Sequence, residues 1–168
     1  EHARPGATFS FDPKADVLHM RQCQLLCQFL EFMWDRAPQN NLDANDVRVD
    51  MKLVFTSESF VALLSPEDTA IPEKYRTHHL PQTFEEIFRH VPTHNRTAGQ
   101  VWKIAIRMTL GPTNACIAFH CDGVYATSTS QIALNEPWEY TGGRLCYYSE
   151  GQFHHLERRA GSLVQHPP

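Results

Sequence analysis

Residues 101–165 read VWKIAIRMTLGPTNACIAFHCDGVYATSTSQIALNEPWEYTGGRLCYYSEGQFHHLERRAGSLVQ, and this run decides the fold. Strand-like segments at 101–110, 115–119, 127–134, 144–149, 153–158 and 162–165 are separated by turn signals. Those signals are Gly111-Pro112, Gly123, residues 135–137, Gly142-Gly143, Gly151 and Gly161. The connections are too short to hold crossover helices, so the strands are predicted to pair antiparallel. Within the first segment Trp102, Ile104, Ile106, Met108 and Leu110 alternate with Lys103 and Arg107. That period of two predicts a core face and an outer face.

Upstream, the periodicity is helical first. Val17, Leu18, Leu25, Leu26, Phe29, Leu30, Met33 and Trp34 recur at spacings of three and four, from Asp16 to just before Pro38. One amphipathic helix of about five turns is predicted, supporting the sheet from outside. From Val47 the period changes to two, with Val47, Val49, Met51, Leu53 and Phe55 opposite Arg48, Asp50 and Lys52. Two short helices are predicted at Ser65-Pro66-Glu67-Asp68 and at the capping box Thr83-Phe84-Glu85-Glu86. Residues 1–15 carry Pro5, Gly6 and Pro13 without periodicity and read as an irregular or extended arm. Helices followed by short-looped strands predict an α+β fold with a jelly-roll core, read as one domain over residues 1–168.

Composition narrows the function. With 15 Lys and Arg against 19 Asp and Glu the net charge is −4, and no basic cluster marks a nucleic-acid surface. No apolar run approaches the roughly 20 residues of a membrane span. The odd cysteine set Cys23, Cys27, Cys116, Cys121 and Cys146 reads as reduced core thiols of an intracellular protein, cytoplasmic or nuclear. Cys23 and Cys27 lie at i, i+4, but no second pair completes a metal site. Asn95-Arg96-Thr97 matches a glycosylation acceptor by chance.

Ten histidines in 168 residues raise the question of metal ligation. His120-Cys121-Asp122 places an imidazole and a carboxylate two residues apart, on one side of an extended chain. About one such pair is expected by chance in this composition, and His155-Leu156-Glu157 is a second. Context separates them. His120 follows an apolar strand and precedes Gly123, at a barrel mouth, whereas His155 has Gly151, Gln152, Arg158 and Arg159 around it and reads as a solvated hairpin with a surface ion pair. His78-His79 and His94 read as solvated.

The run His120-Cys121-Asp122-Gly123-Val124-Tyr125-Ala126-Thr127, then Gln131-Ile132-Ala133-Leu134-Asn135, Tyr140-Thr141-Gly142-Gly143-Arg144-Leu145 and Gly161-Ser162-Leu163-Val164 resembles the iron(II)/2-oxoglutarate-dependent dioxygenases of the prolyl 4-hydroxylase-like type. The order and spacing of the pieces carry the resemblance, over about residues 100–168. It implies a double-stranded β-helix beginning in residues 100–168, with residues 1–99 as a helical and strand support region. It implies Fe(II) held by His120, Asp122 and a more distant histidine, with 2-oxoglutarate as co-substrate and ascorbate as reductant. The implied reaction decarboxylates 2-oxoglutarate to succinate and hydroxylates a protein or peptide residue; a small-molecule substrate stays open.

The chain also departs from the pattern. The distal histidine and the basic residue that binds 2-oxoglutarate are expected beyond Pro168, and residues 1–168 alone are expected to be inactive. His166 is the histidine placed to substitute for the distal ligand. Tyrosines that often hold the co-substrate are replaced by Leu110 and Ala133, leaving Thr129 and Gln131 as the implied co-substrate contacts. Tyr125 and Arg144 are the residues placed to face substrate. Two other readings stand beside the enzyme: a β-helix domain that has lost activity and binds a partner, and a cupin-like barrel holding another metal.

Overall fold

The computed structural model describes residues 10–14, 17–37, 49–55, 71–77, 79–90, 104–111, 119–121 and 129–166. Seven strands and three helices are present among them. In chain order they are β1 (Ser10–Lys14), α1 (Met20–Trp34), β2 (Val49–Phe55), α2 (Glu73–Arg76), α3 (His79–Arg89), β3 (Ile104–Leu110), β4 (Thr129–Ile132), β5 (Leu145–Ser149), β6 (Gln152–Leu156) and β7 (Leu163–His166). The strands form three antiparallel groups: β1-β7-β4, β2-β3 and the hairpin β5-β6. The predicted segments at 65–68 and 115–118 lie outside the described residues, as do His78, His94 and Cys116.

Helix α1 forms where the three-four spacing is strongest and buries Cys23, Leu26, Phe29 and Leu30 on one face. It begins at Met20, later than the apolar pattern, and spans 15 residues. The backbone N–H of His19 donates to Gln22 Oε1 at 2.8 Å, satisfying a donor that the helix itself leaves open. Val17 and Leu18 instead precede the helix and are buried, with both backbone N–H groups donating to the Gly161 carbonyl.

The core lies between the helices and the β2-β3 ladder. Phe29 and Phe32 pack on Tyr75 with ring centroids 5.3 and 5.6 Å apart, and Phe55 meets Phe84 edge-on at 5.7 Å. Met51 and Ile106 supply the sheet's inner face, and Leu163 of β7 joins the same cluster. No helix among the described residues is long and apolar enough to cross a membrane.

Five expectations are corrected. Thr83 is not a helix cap: α3 begins at His79, and the Thr83 hydroxyl donates to the His79 carbonyl at 2.8 Å inside the helix. Pro81 is tolerated because the first turn needs no N–H there. Asp50 lies on the predicted outer face of β2 but is buried, because Arg107 Nε at 3.0 Å and the Thr109 hydroxyl at 2.8 Å enclose its carboxylate. Leu110, predicted as core, is 47% exposed at the end of β3, and Cys121 is exposed rather than a core thiol. The stretch before residue 15 includes a regular strand, β1, paired antiparallel with β7 (Ser10 opposite Gln165, Lys14 opposite Leu163). Pro13 is compatible with it because β1 is an edge strand of its sheet.

Candidate functional site

The β4-β7 ladder sets Thr129 opposite His166 and Gln131 opposite Val164. Directly opposed residues of an antiparallel pair project to the same side, so these four share one face. The other face carries Ser130, Ile132, Leu163 and Gln165, with Leu163 in the main core and Ile132 packed against it. The Gln165 side chain donates to Ser130 Oγ at 3.1 Å, closing that polar pair on its own side.

The first face is met by the β5-β6 hairpin. Tyr147 stands opposite His154, and its ring packs on His166 with centroids 5.0 Å apart. Two residues after β6, Arg158 extends its guanidinium back toward β4 and donates Nη1–H to Gln131 Oε1 at 3.5 Å. The amide nitrogen of Gln131 in turn lies 3.5 Å from His166 Nε2. Thr129, Gln131, Tyr147, Arg158 and His166 therefore form one half-buried polar layer between the two sheets.

Burial pushes the Arg158 guanidinium below its ordinary range, and Tyr140 and Tyr147 push the other way. Arg158 also borders a cleft of about 180 Å³ whose other walls include Tyr140, Thr141, Arg144 and Glu157. The backbone of this rim is held by the turn after β4. There the Glu136 N–H donates to Glu139 Oε2 at 2.8 Å, and the Ala160 N–H donates to Glu136 Oε2 at 3.3 Å. Gly142 and Gly143 take φ of 78° and 61°, a region that favours glycine, and turn the chain from the rim into β5.

The sequence-derived site residues divide into three groups. Thr129 and Gln131 are on the face described above, and Arg144 is exposed beside the cleft. His120 is exposed, following Phe119, whose ring packs 5.5 Å from Phe153 of the hairpin. Asp122 and Tyr125 lie outside the described residues. Among the described residues no three His, Cys, Asp or Glu side chains form a metal-holding group. His155 and Glu157 are both exposed, as a solvated hairpin requires.

Arg158 and Tyr147 were not legible as site residues, and Arg158 is a correction: grouped with a solvated hairpin, it is half-buried and turned inward. The signal that would have found it is the period of two along β6. His154 and Leu156 are half-buried between exposed Phe153, His155 and Glu157, and Arg158 continues that inward series. Cys23 is buried in the core and Cys27 is half-buried one turn further along α1. Burial, then Cys27 and Glu136, pushes the Cys23 thiol up to about 11, while Cys27 Sγ contacts the Leu134 carbonyl at 3.8 Å. No protein family, no curated protein and no solved structure matches this chain.

Proposed function

We propose that this chain is part of an iron(II)/2-oxoglutarate-dependent dioxygenase of the prolyl 4-hydroxylase-like type, acting on a protein or peptide residue. The observation that carries the reading is the polar layer between the β4-β7 ladder and the β5-β6 hairpin. Thr129 and Gln131, the co-substrate contacts that the resemblance implies, share their face with His166 and meet Tyr147 and Arg158 across it. A β-helix core would place such a layer in its interior, where a small dicarboxylate binds.

In this reading His120 and Asp122 hold the metal, an imidazole and carboxylate donor set that suits Fe(II). When bound, the iron supplies oxygen activation coupled to decarboxylation of 2-oxoglutarate. The chain's own residues supply the frame. Gln131 and Thr129 present hydrogen-bonding groups to the co-substrate, and Tyr147 packs its ring on His166 on the same face. A partner-binding domain without activity is the second reading, favoured by buried Ala133 and exposed Leu110 where polar co-substrate contacts are expected.

The test is succinate formation from 2-oxoglutarate with Fe(II) and ascorbate in the full-length protein, beside the His120→Ala variant. The exposed position of His120 leaves folding intact in the variant, so loss of turnover and of Fe(II) binding together is the expected result. Iron binding equal to the parent's would move the metal away from His120. An iron-loaded, folded protein that forms no succinate with any peptide offered would favour the binding domain.

A further inference from the structure

Arg158 is a half-buried cation whose one hydrogen bond among the described residues is a long, 3.5 Å contact to the neutral amide of Gln131. A charge withdrawn from water is costly unless an opposite charge or several hydrogen bonds compensate it, and one stretched bond to an amide does neither. Arg144 borders the same cleft, exposed and without an ion-pair partner among the described residues. Glu157 is the acidic residue of the cleft wall, and it forms no ion pair with either arginine. The carboxylates of Glu136 and Glu139 are engaged by backbone N–H groups of the neighbouring turn. The lining residues thus include two arginines and one glutamate, with Tyr140 and Thr141 beside them.

We infer that the cleft between Arg144 and Arg158 is a carboxylate-binding site. A guanidinium presents paired N–H donors that match a carboxylate's two oxygens, and a ligand carboxylate would supply the counter-charge that no described residue gives Arg158. A volume of about 180 Å³ has room for one acidic side chain or one small dicarboxylate. The carboxylate has two sources, an acidic residue of a peptide substrate or a free dicarboxylate such as 2-oxoglutarate. Assigning it to either role in hydroxylation rests on the function proposed above, whereas the site itself does not.

The experiment titrates glutarate into the metal-free protein, followed by calorimetry and by amide chemical shifts, with glutaramide as the uncharged control. Saturable glutarate binding is expected, with no binding of glutaramide. Arg158→Gln is expected to weaken it at least tenfold and Arg158→Lys by a smaller factor, because lysine keeps the charge and loses the fork. Arg144→Gln, at an exposed position with no fold to disturb, is expected to weaken it about threefold. Affinity within twofold of the parent in a folded Arg158→Gln protein, equal binding of glutaramide, or no saturable glutarate binding would each overturn the site. Displacement of glutarate by a blocked glutamyl peptide and not by 2-oxoglutarate would identify the substrate as the source, and the reverse would identify the co-substrate. Displacement by neither would reveal an adventitious anion site only and overturn the inference. Because no metal or turnover enters the measurement, its failure leaves the His120 assignment untouched.

Discussion

Arg158 and His166 stand at opposite ends of one glutamine side chain: Arg158 Nη1 donates to Gln131 Oε1 and Gln131 Nε2 faces His166 Nε2, each at 3.5 Å. A guanidinium can only donate, so the amide oxygen belongs on the Arg158 side and the NH2 on the His166 side. With the NH2 donating, His166 Nε2 takes the accepting role, and a ring that accepts there carries its proton on Nδ1. Long-range nitrogen–proton spectra of labelled protein are expected to show the Nδ1–H tautomer for His166. In Gln131→Leu the preference is expected to dissolve into a mixture of tautomers. A predominant Nε2–H form in the parent would show that Gln131 does not donate to His166.

Gly161 joins the entry to α1 with the β4-β7 ladder. Its N–H donates to the Ala133 carbonyl at 2.8 Å, and its own carbonyl accepts from the Val17 N–H at 2.9 Å. Its φ of 83° is one that L side chains rarely adopt, and a Cβ there would collide with the Leu18 carbonyl oxygen. Backbone strain and collision act together, so Gly161→Ala is expected to destabilise the fold by about 3 kcal/mol or more. Urea unfolding measures this. By contrast Gly151→Ala, with nothing within 4 Å of a Cβ but a φ of 79°, is expected to cost only about 1 kcal/mol.

The buried Cys23 thiol predicts a pH dependence at the alkaline end. Its proton is released near 9.0 in the unfolded chain and at about 11 in the fold, with burial as the largest cause. Above pH 9.0 the unfolded state loses a proton that the folded state keeps, so stability is intact below that pH and falls as the pH rises toward about 11. The loss attributable to this one group is about 2–3 kcal/mol. The fall in unfolding free energy between pH 8 and pH 10.5 is expected to be about 2 kcal/mol larger for the parent than for Cys23→Ala, while thiol reagents at neutral pH label exposed Cys121 well before Cys23.

Asp50 fastens β2 to β3 from the side away from the main core. Asp50→Ala removes the Arg107 ion pair at 3.0 Å and the Thr109 hydrogen bond at 2.8 Å. Arg107 is 37% exposed and can return to water, which keeps the cost below that of an orphaned buried charge. A loss of about 1–3 kcal/mol is expected in urea unfolding. Thr109→Val is expected to lose roughly half as much, since the charged pair survives.

Much of the local structure was legible because local pattern and burial coincide. The three-four spacing of Leu26, Phe29 and Leu30 marks α1, and the alternation through Met51 and Ile106 marks β2 and β3 with their inner faces. These follow from backbone geometry, which turns every second strand residue and every third or fourth helix residue to the same side. The positions of Gly142, Gly143, Gly151 and Gly161 were legible as turns for a similar reason, since each holds a positive φ.

What the sequence alone determined is the alternation of faces and the turns between strands. The tertiary structure decided which of them meet. β1 has no readable pattern and becomes a strand because β7, distant in sequence, supplies its hydrogen bonds. Asp50 is buried because Arg107 and Thr109 arrive on a partner strand, and Arg158 faces Gln131 because the hairpin folds over β4. Periodicity is a property of neighbours along the chain, whereas desolvation and charge compensation depend on groups that only the fold brings within a few ångströms.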